Sequence, residues 1–102
     1  MATLELVTLE CRREHDLVSE DEPRITVDGI TVWNGVMGKR AKADLRPASV
    51  HFNARAEVTL QEVSNGNPRQ IGDEITVREN GNPASLSFKT SGTWYELYFE
   101  VS

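Results

Sequence analysis

The chain has 102 residues, 38% of them apolar and 26% charged, enough for one compact domain and too little for two with full cores. Sixteen carboxylates against eleven lysines and arginines leave a formal charge of −5, opposite in sign to the basic face of a dedicated DNA- or RNA-binding domain. No uninterrupted apolar run exceeds three residues, which excludes a transmembrane helix, and Met1-Ala-Thr-Leu-Glu-Leu has neither a basic n-region nor an apolar h-region. The expected location is the cytoplasm, or outside the cell after export without a conventional signal peptide.

Short stretches rich in Val, Ile, Thr, Tyr, Phe and Trp alternate with Gly, Pro, Asn and Asp clusters along the whole chain, the pattern of an antiparallel sandwich. The first stretch is Thr3 to Cys11, where Leu4 and Leu6 share one parity and Val7, Leu9 and Cys11 the other. A bulge near Leu6 and Val7, or burial on both faces, reconciles the switch. Cys11 is the sole cysteine, so no intrachain disulfide exists; it reads as a buried strand residue rather than a nucleophile.

The loop that follows, Glu14-His15-Asp16-Leu17-Val18-Ser19-Glu20-Asp21-Glu22, carries five carboxylates in nine residues. Such crowding is relieved either by solvation or by a shared cation, and calcium, which takes hard oxygen ligands from loops, is the natural candidate.

Arg24 to Val27 and Ile30 to Trp33 are two alternating runs joined by Asp28-Gly29, a pair suited to the positive φ angles of a type I′ turn. Regular pairing through it sets Val27 opposite Ile30 and Ile25 opposite Val32, which makes these four the core face and turns Arg24, Thr26, Thr31 and Trp33 outward. Asn34 to Arg46 reads as a crossing loop, with room for a short irregular strand, and holds the cations Lys39, Arg40 and Lys42, a cluster suited to anionic lipid or an acidic protein patch.

Further strands are expected at Ser49 to Phe52, Ala56 to Val63, Glu74 to Arg78 and Ala84 to Lys89, with hairpin chemistry at Asn80-Gly81 between the last two. In the closing stretch, Thr93 to Val101, Tyr95, Leu97, Phe99 and Val101 form the buried parity and Trp94, Glu96, Tyr98 and Glu100 the half-exposed one. The sum is an all-β fold, a single antiparallel β-sandwich of about eight strands spanning residues 1–102, C2-like or immunoglobulin-like.

Catalytic chemistry is thinly supplied. His15 and His51 are the two histidines, neither at metal-ligand spacing nor beside nucleophile-elbow glycines, and no Gly-rich phosphate loop joins a strand to a helix. No enzymatic activity is expected.

The order of features resembles that of a C2 domain, a calcium- and phospholipid-binding β-sandwich. Leu4-Glu-Leu-Val-Thr-Leu leads into the acidic loop, Ser19-Glu20-Asp21-Glu22-Pro23-Arg24-Ile25-Thr26-Val27 is similar to the family's Ser-Asp-Pro-Tyr-x-x-Val stretch, and Ala56-Glu-Val-Thr-Leu-Gln-Glu-Val-Ser-Asn followed by Gln70-Ile71-Gly72 resembles its later strand, acidic loop and Ile-Gly run. Trp94-Tyr95-Glu96-Leu97 resembles its closing strand. Where the family has an Asp-x-Asp pair, this chain has Gln61-Glu62-Val63, with Arg69-Gln70 before Ile71-Gly72. The resemblance implies calcium held by Asp16, Glu20, Asp21, Glu22 and Glu62.

Three functional expectations follow. The first is a non-catalytic binding or accessory module working through protein–protein contact, as part of a larger bacterial assembly, with Trp33, Trp94 and Tyr98 and the cations Lys39, Arg40 and Lys42 as contact residues. The alternative is calcium-dependent, C2-like docking on a membrane, and the third is an inhibitor, immunity protein or small toxin.

Overall fold

Ten strands and no helix make up the described part of the computed structural model, which covers residues 1–13, 22–38, 40–63 and 67–102. In chain order they are β1 (Ala2–Arg13), β2 (Pro23–Val27), β3 (Ile30–Asn34), β4 (Lys42–Asp44), β5 (Ser49–Phe52), β6 (Arg55–Glu62), β7 (Arg69–Gln70), β8 (Ile75–Arg78), β9 (Ser85–Thr90) and β10 (Thr93–Val101). The two beyond the expected eight are the short β4, the irregular strand for which the crossing loop left room, and β7, in a stretch whose composition reads as a turn-rich loop. No helix among the described residues is long and apolar enough to cross a membrane.

The strands form two antiparallel sheets of five. The first runs β4-β1-β10-β9, with β5 sharing the β4 edge of β1; the second runs β3-β2-β6-β7, with β8 sharing the β7 edge of β6. Each sheet turns one parity of its strands towards the other sheet, and the two apolar faces meet in one cluster. Leu4, Leu6, Leu9, Leu86, Phe88, Tyr95 and Leu97 come from the first sheet, and Ile25, Val27, Ala56, Val58, Leu60 and Val77 from the second.

The parity switch in β1 is a bulge. Leu6 pairs with Phe99 and Thr8 with Tyr98, so Val7 is the extra residue. Its carbonyl turns to the other edge and accepts from the Leu45 amide at 2.9 Å. One inserted residue lets Leu4 and Leu6 on one side of the bulge, and Leu9 and Cys11 on the other, all face the core.

Two expectations about hairpins need correction. Asp28 and Gly29 have φ of 52° and 83°, as a type I′ turn requires, and Val27 does face Ile30. Pairing then slips, however: Thr26 faces Thr31 but Ile25 faces Trp33, leaving Val32 as a bulge. Trp33 therefore shares the inward side of Ile25 and, together with Val32, packs against the core, while Ile30, at the turn end of an edge strand, is 71% exposed.

The second correction concerns Asn80-Gly81. Gly81 does take a positive φ of 79°, yet the flanking strands part company, β8 pairing with β6 in the second sheet and β9 with β10 in the first. Asn82 ends β8 by imitating a strand partner: its Oδ1 accepts from Arg78 N at 2.7 Å and its Nδ2 donates to Arg78 O at 2.6 Å.

Candidate functional site

The outward face of the first sheet gathers the polar parity of four strands. Register places Lys42 opposite Glu10, Glu10 opposite Glu96, and Glu96 opposite Ser87, in one row across β4, β1, β10 and β9. The row on one side holds Thr8, Tyr98 and Ser85; the row on the other holds Arg13, Trp94 and Lys89.

Trp94 is the centre of this face. Its Nε1–H donates to Glu96 Oε1 at 2.8 Å, which ties the half-buried indole to the strand beneath it. Cations from both flanking strands lie over the ring, Lys89 Nζ at 4.1 Å and Arg12 Cζ at 5.1 Å from its centroid, within the range where the ring's electron-rich face attracts a cation. Arg12 reaches further, donating to the Tyr98 hydroxyl at 2.8 Å and from Nε to Glu10 Oε1 at 2.8 Å. Lys42 Nζ stands 3.5 Å from the other oxygen of Glu10.

Glu96 departs from the half-exposed position its parity implies, for it is 4% exposed. Trp94 closes over it, and Ser85 Oγ donates to Oε2 at 2.7 Å while Ser87 Oγ donates to Oε1. Burial pushes its pKa up, but the hydrogen bonds from Ser87, Trp94 and Ser85 outweigh burial and hold the carboxyl below its ordinary value. Glu10 is likewise lowered, first by the hydrogen bond from Arg12 and then by the charges of Arg12 and Lys42. Trp94 is thus fixed by a charged acceptor that is itself fixed, the arrangement that preorganises a contact residue.

Of the contact residues expected from sequence, the fold brings Trp94, Tyr98 and Lys42 onto this face. Arg40 stands at its edge, next to Ala41, whose carbonyl accepts from Cys11 N at 2.9 Å. Trp33 belongs to the other sheet, and Lys39 lies outside the described residues. Arg12, Lys89, Glu10 and Glu96 complete the face; Glu96 shares the alternation of Trp94 along β10, and the other three join it only through the pairing of β1 and β9 with β10.

Of the acidic set, Asp16, Glu20 and Asp21 lie outside the described residues. Glu22 and Glu62 do meet, where the Glu22 amide donates to Glu62 Oε1 at 3.2 Å beside a cleft of about 350 Å³ that Glu22 shares with Arg24, Asn34, Val36 and Val63. Arg24 brings a positive charge there, held by two hydrogen bonds to Gln61 Oε1 at 3.0 and 2.7 Å. No group of three or more His, Cys, Asp or Glu side chains placed to hold a metal occurs among the described residues.

The remaining chemistry-bearing groups are dispersed. Cys11 is buried near one end of β1. His51 is exposed near the other, its Nδ1 3.0 Å from Thr3 Oγ1, and the eight residue steps of strand from Thr3 to Cys11 span about 26 Å. His15 lies outside the described residues. Comparison with family models, with curated proteins and with solved structures finds no match for this chain.

Proposed function

We propose that the protein is a non-catalytic β-sandwich module that binds a partner protein through the outward face of its first sheet, centred on Trp94 and Tyr98. The observation that carries this reading is the fixation of the Trp94 indole, hydrogen-bonded to a buried carboxylate and flanked by Lys89 and Arg12. Tryptophan, tyrosine and arginine are the residues most enriched at binding hot spots, and a side chain already held in one conformation loses little entropy when it is covered. Strand residues also hold a site in place better than loop residues do.

The test is affinity capture with the full chain and three variants, Trp94→Ala, Tyr98→Ala and Ile30→Thr, each first shown to be folded by thermal melting. The expected result is a defined partner held by the wild type and by Ile30→Thr and lost by Trp94→Ala and Tyr98→Ala. A partner retained by all variants, or no partner enriched over a blank, overturns the reading.

A further inference from the structure

Cations are concentrated at one corner of the Trp94 face. Arg12 and Arg13 end β1, Lys42 starts β4 with Arg40 just ahead of it, and Lys89 lies near the end of β9. These are five of the eleven lysines and arginines in a chain whose formal charge is −5. Among the described residues the carboxylates nearest these cations, Glu10 and Glu96, are both engaged, Glu10 by Arg12 and Lys42 and Glu96 by Ser85, Ser87 and Trp94; Asp44, paired with Arg46, and the facing Glu5 and Glu100 lie further along the same face. Lys89, Arg13 and Arg40 have no carboxylate within ion-pair distance among the described residues. Lys89 and Arg12 approach the same indole from opposite strands, closer together than the Debye length of about 10 Å at 0.1 M salt, so each raises the potential felt by the other.

We propose that this corner docks an acidic segment of a partner protein, its carboxylates meeting Lys89, Arg13 and Arg40 around Trp94. The inference rests on the binding-module reading and names the chemistry of the partner. A carboxylate placed beside Lys89 relieves the repulsion between the two cations on the indole, and the Tyr98 hydroxyl and the Trp94 rim supply adjacent apolar and polar contact. A membrane surface fits less well, because the large apolar side chains exposed among the described residues, Met1, Ile30 and Val36, lie elsewhere. Met1 adjoins the opposite end of β1, and Ile30 and Val36 belong to the second sheet and its margin. A nucleic acid polyanion, many charges long, meets the repulsion of the whole acidic chain beyond this corner.

The experiment is titration of the isotopically labelled full chain with a blocked synthetic peptide of about ten residues rich in Asp and Glu, at ~50 mM and again at ~250 mM salt. The indole N–H resonance of Trp94 and the amides of Arg12 and Lys89 are expected to shift while the indole of Trp33 stays fixed. The double variant Lys89→Glu/Arg40→Glu, folded by the same spectra, is expected to bind about tenfold or more weakly, as is the wild type at higher salt. No shift at millimolar peptide, or shifts indifferent to the double variant, overturns the proposal. So does a tighter response to phosphatidylserine vesicles or to a DNA duplex. A partner captured through Trp94 whose binding ignores both Lys89→Glu and salt overturns the acidic class alone and leaves the binding-module reading standing.

Discussion

Glu10 and Glu96 stand directly opposite one another on the adjacent antiparallel strands β1 and β10, and both carboxyls are held below their ordinary pKa. Like charges in facing positions destabilise a sheet, so the arrangement survives only because each carboxylate is drawn to a different side. Arg12 and Lys42 hold Glu10 towards β4, and Ser85 and Ser87 hold Glu96 towards β9. The face owes its organisation to that division: the β1 side is an exposed ionic network, the β10 side a buried carboxylate ringed by neutral donors.

The division has a consequence for acid stability. A carboxyl whose folded pKa lies below its unfolded value of about 4.3 contributes stability that is complete above the unfolded value and is lost as pH falls through the folded one. Melting temperature should therefore decline as the pH is lowered from about 5 towards 3, and Glu96→Gln should flatten that decline while weakening the protein near neutrality by about 1–3 kcal/mol, the worth of hydrogen bonds to a buried charge. Salt separates the two carboxylates. The Glu10 contribution is ionic and exposed and should shrink as salt is raised, whereas the Glu96 contribution, made by hydroxyl and indole donors, should persist. A wild-type pH profile unchanged by Glu96→Gln contradicts the assignment.

Gly72 touches the backbone of the neighbouring sheet. With φ at +70°, it lies where a Cβ would meet Lys89 N at 2.8 Å and Lys89 O at 3.0 Å, so the loop before β8 is pressed onto β9, the edge strand at the far side of the first sheet. Gly81 has a similar φ of +79° with nothing within 4 Å of its Cβ position. Alanine at Gly81 should cost only the left-handed strain of about 1–2 kcal/mol. Alanine at Gly72 adds a clash with backbone that cannot rotate away, and its urea midpoint should fall well below that of Gly81→Ala. Equal midpoints contradict the close approach.

The β2–β3 hairpin shows what periodicity carries and where it stops. Asp28-Gly29 specifies the turn and places Val27 opposite Ile30, because turn chemistry is local. The bulge at Val32 is not local: it brings Trp33 inward, where its six-membered ring lies over Gly35, so that a Cβ there would come 2.7 Å from it. Large aromatic bulk at the margin of a core is rewarded by burial even at the expense of alternation. The eight longer strands, the inward parity of β10 and the double-parity β1 were legible for the converse reason, that each is written in one continuous segment, whereas the short β4 and β7 are specified by the strands they pair with. The Trp94 face was half legible. Parity placed Trp94 and Tyr98 outward, but the burial of Glu96 and the approach of Arg12 and Lys89 require knowing that β1 and β9 flank β10. Ile30→Thr should accordingly change stability by less than about 0.5 kcal/mol, as at an ordinary surface site. Trp33→Ala should cost about 2 kcal/mol or more for the lost packing. Full stability of Trp33→Ala would contradict the inward bulge, and a large penalty at Ile30 would contradict its exposure at the turn.

The outward face of the second sheet holds a pair whose energetics separate single from double substitution. Thr26 and Thr59 face each other on β2 and β6, both are buried, and their hydroxyls are hydrogen-bonded. Valine at either position keeps the shape and the strand preference but removes one partner and leaves the other hydroxyl buried with its bond broken, at a cost of about 1–3 kcal/mol. Valine at both positions removes the need for the bond together with the bond. The double variant should be more stable than the sum of the single penalties implies, with a coupling energy of about 1–2 kcal/mol in a cycle measured by denaturant unfolding. Additive penalties would mean that each hydroxyl is satisfied independently, and the pair would then be two separate threonines that happen to face each other.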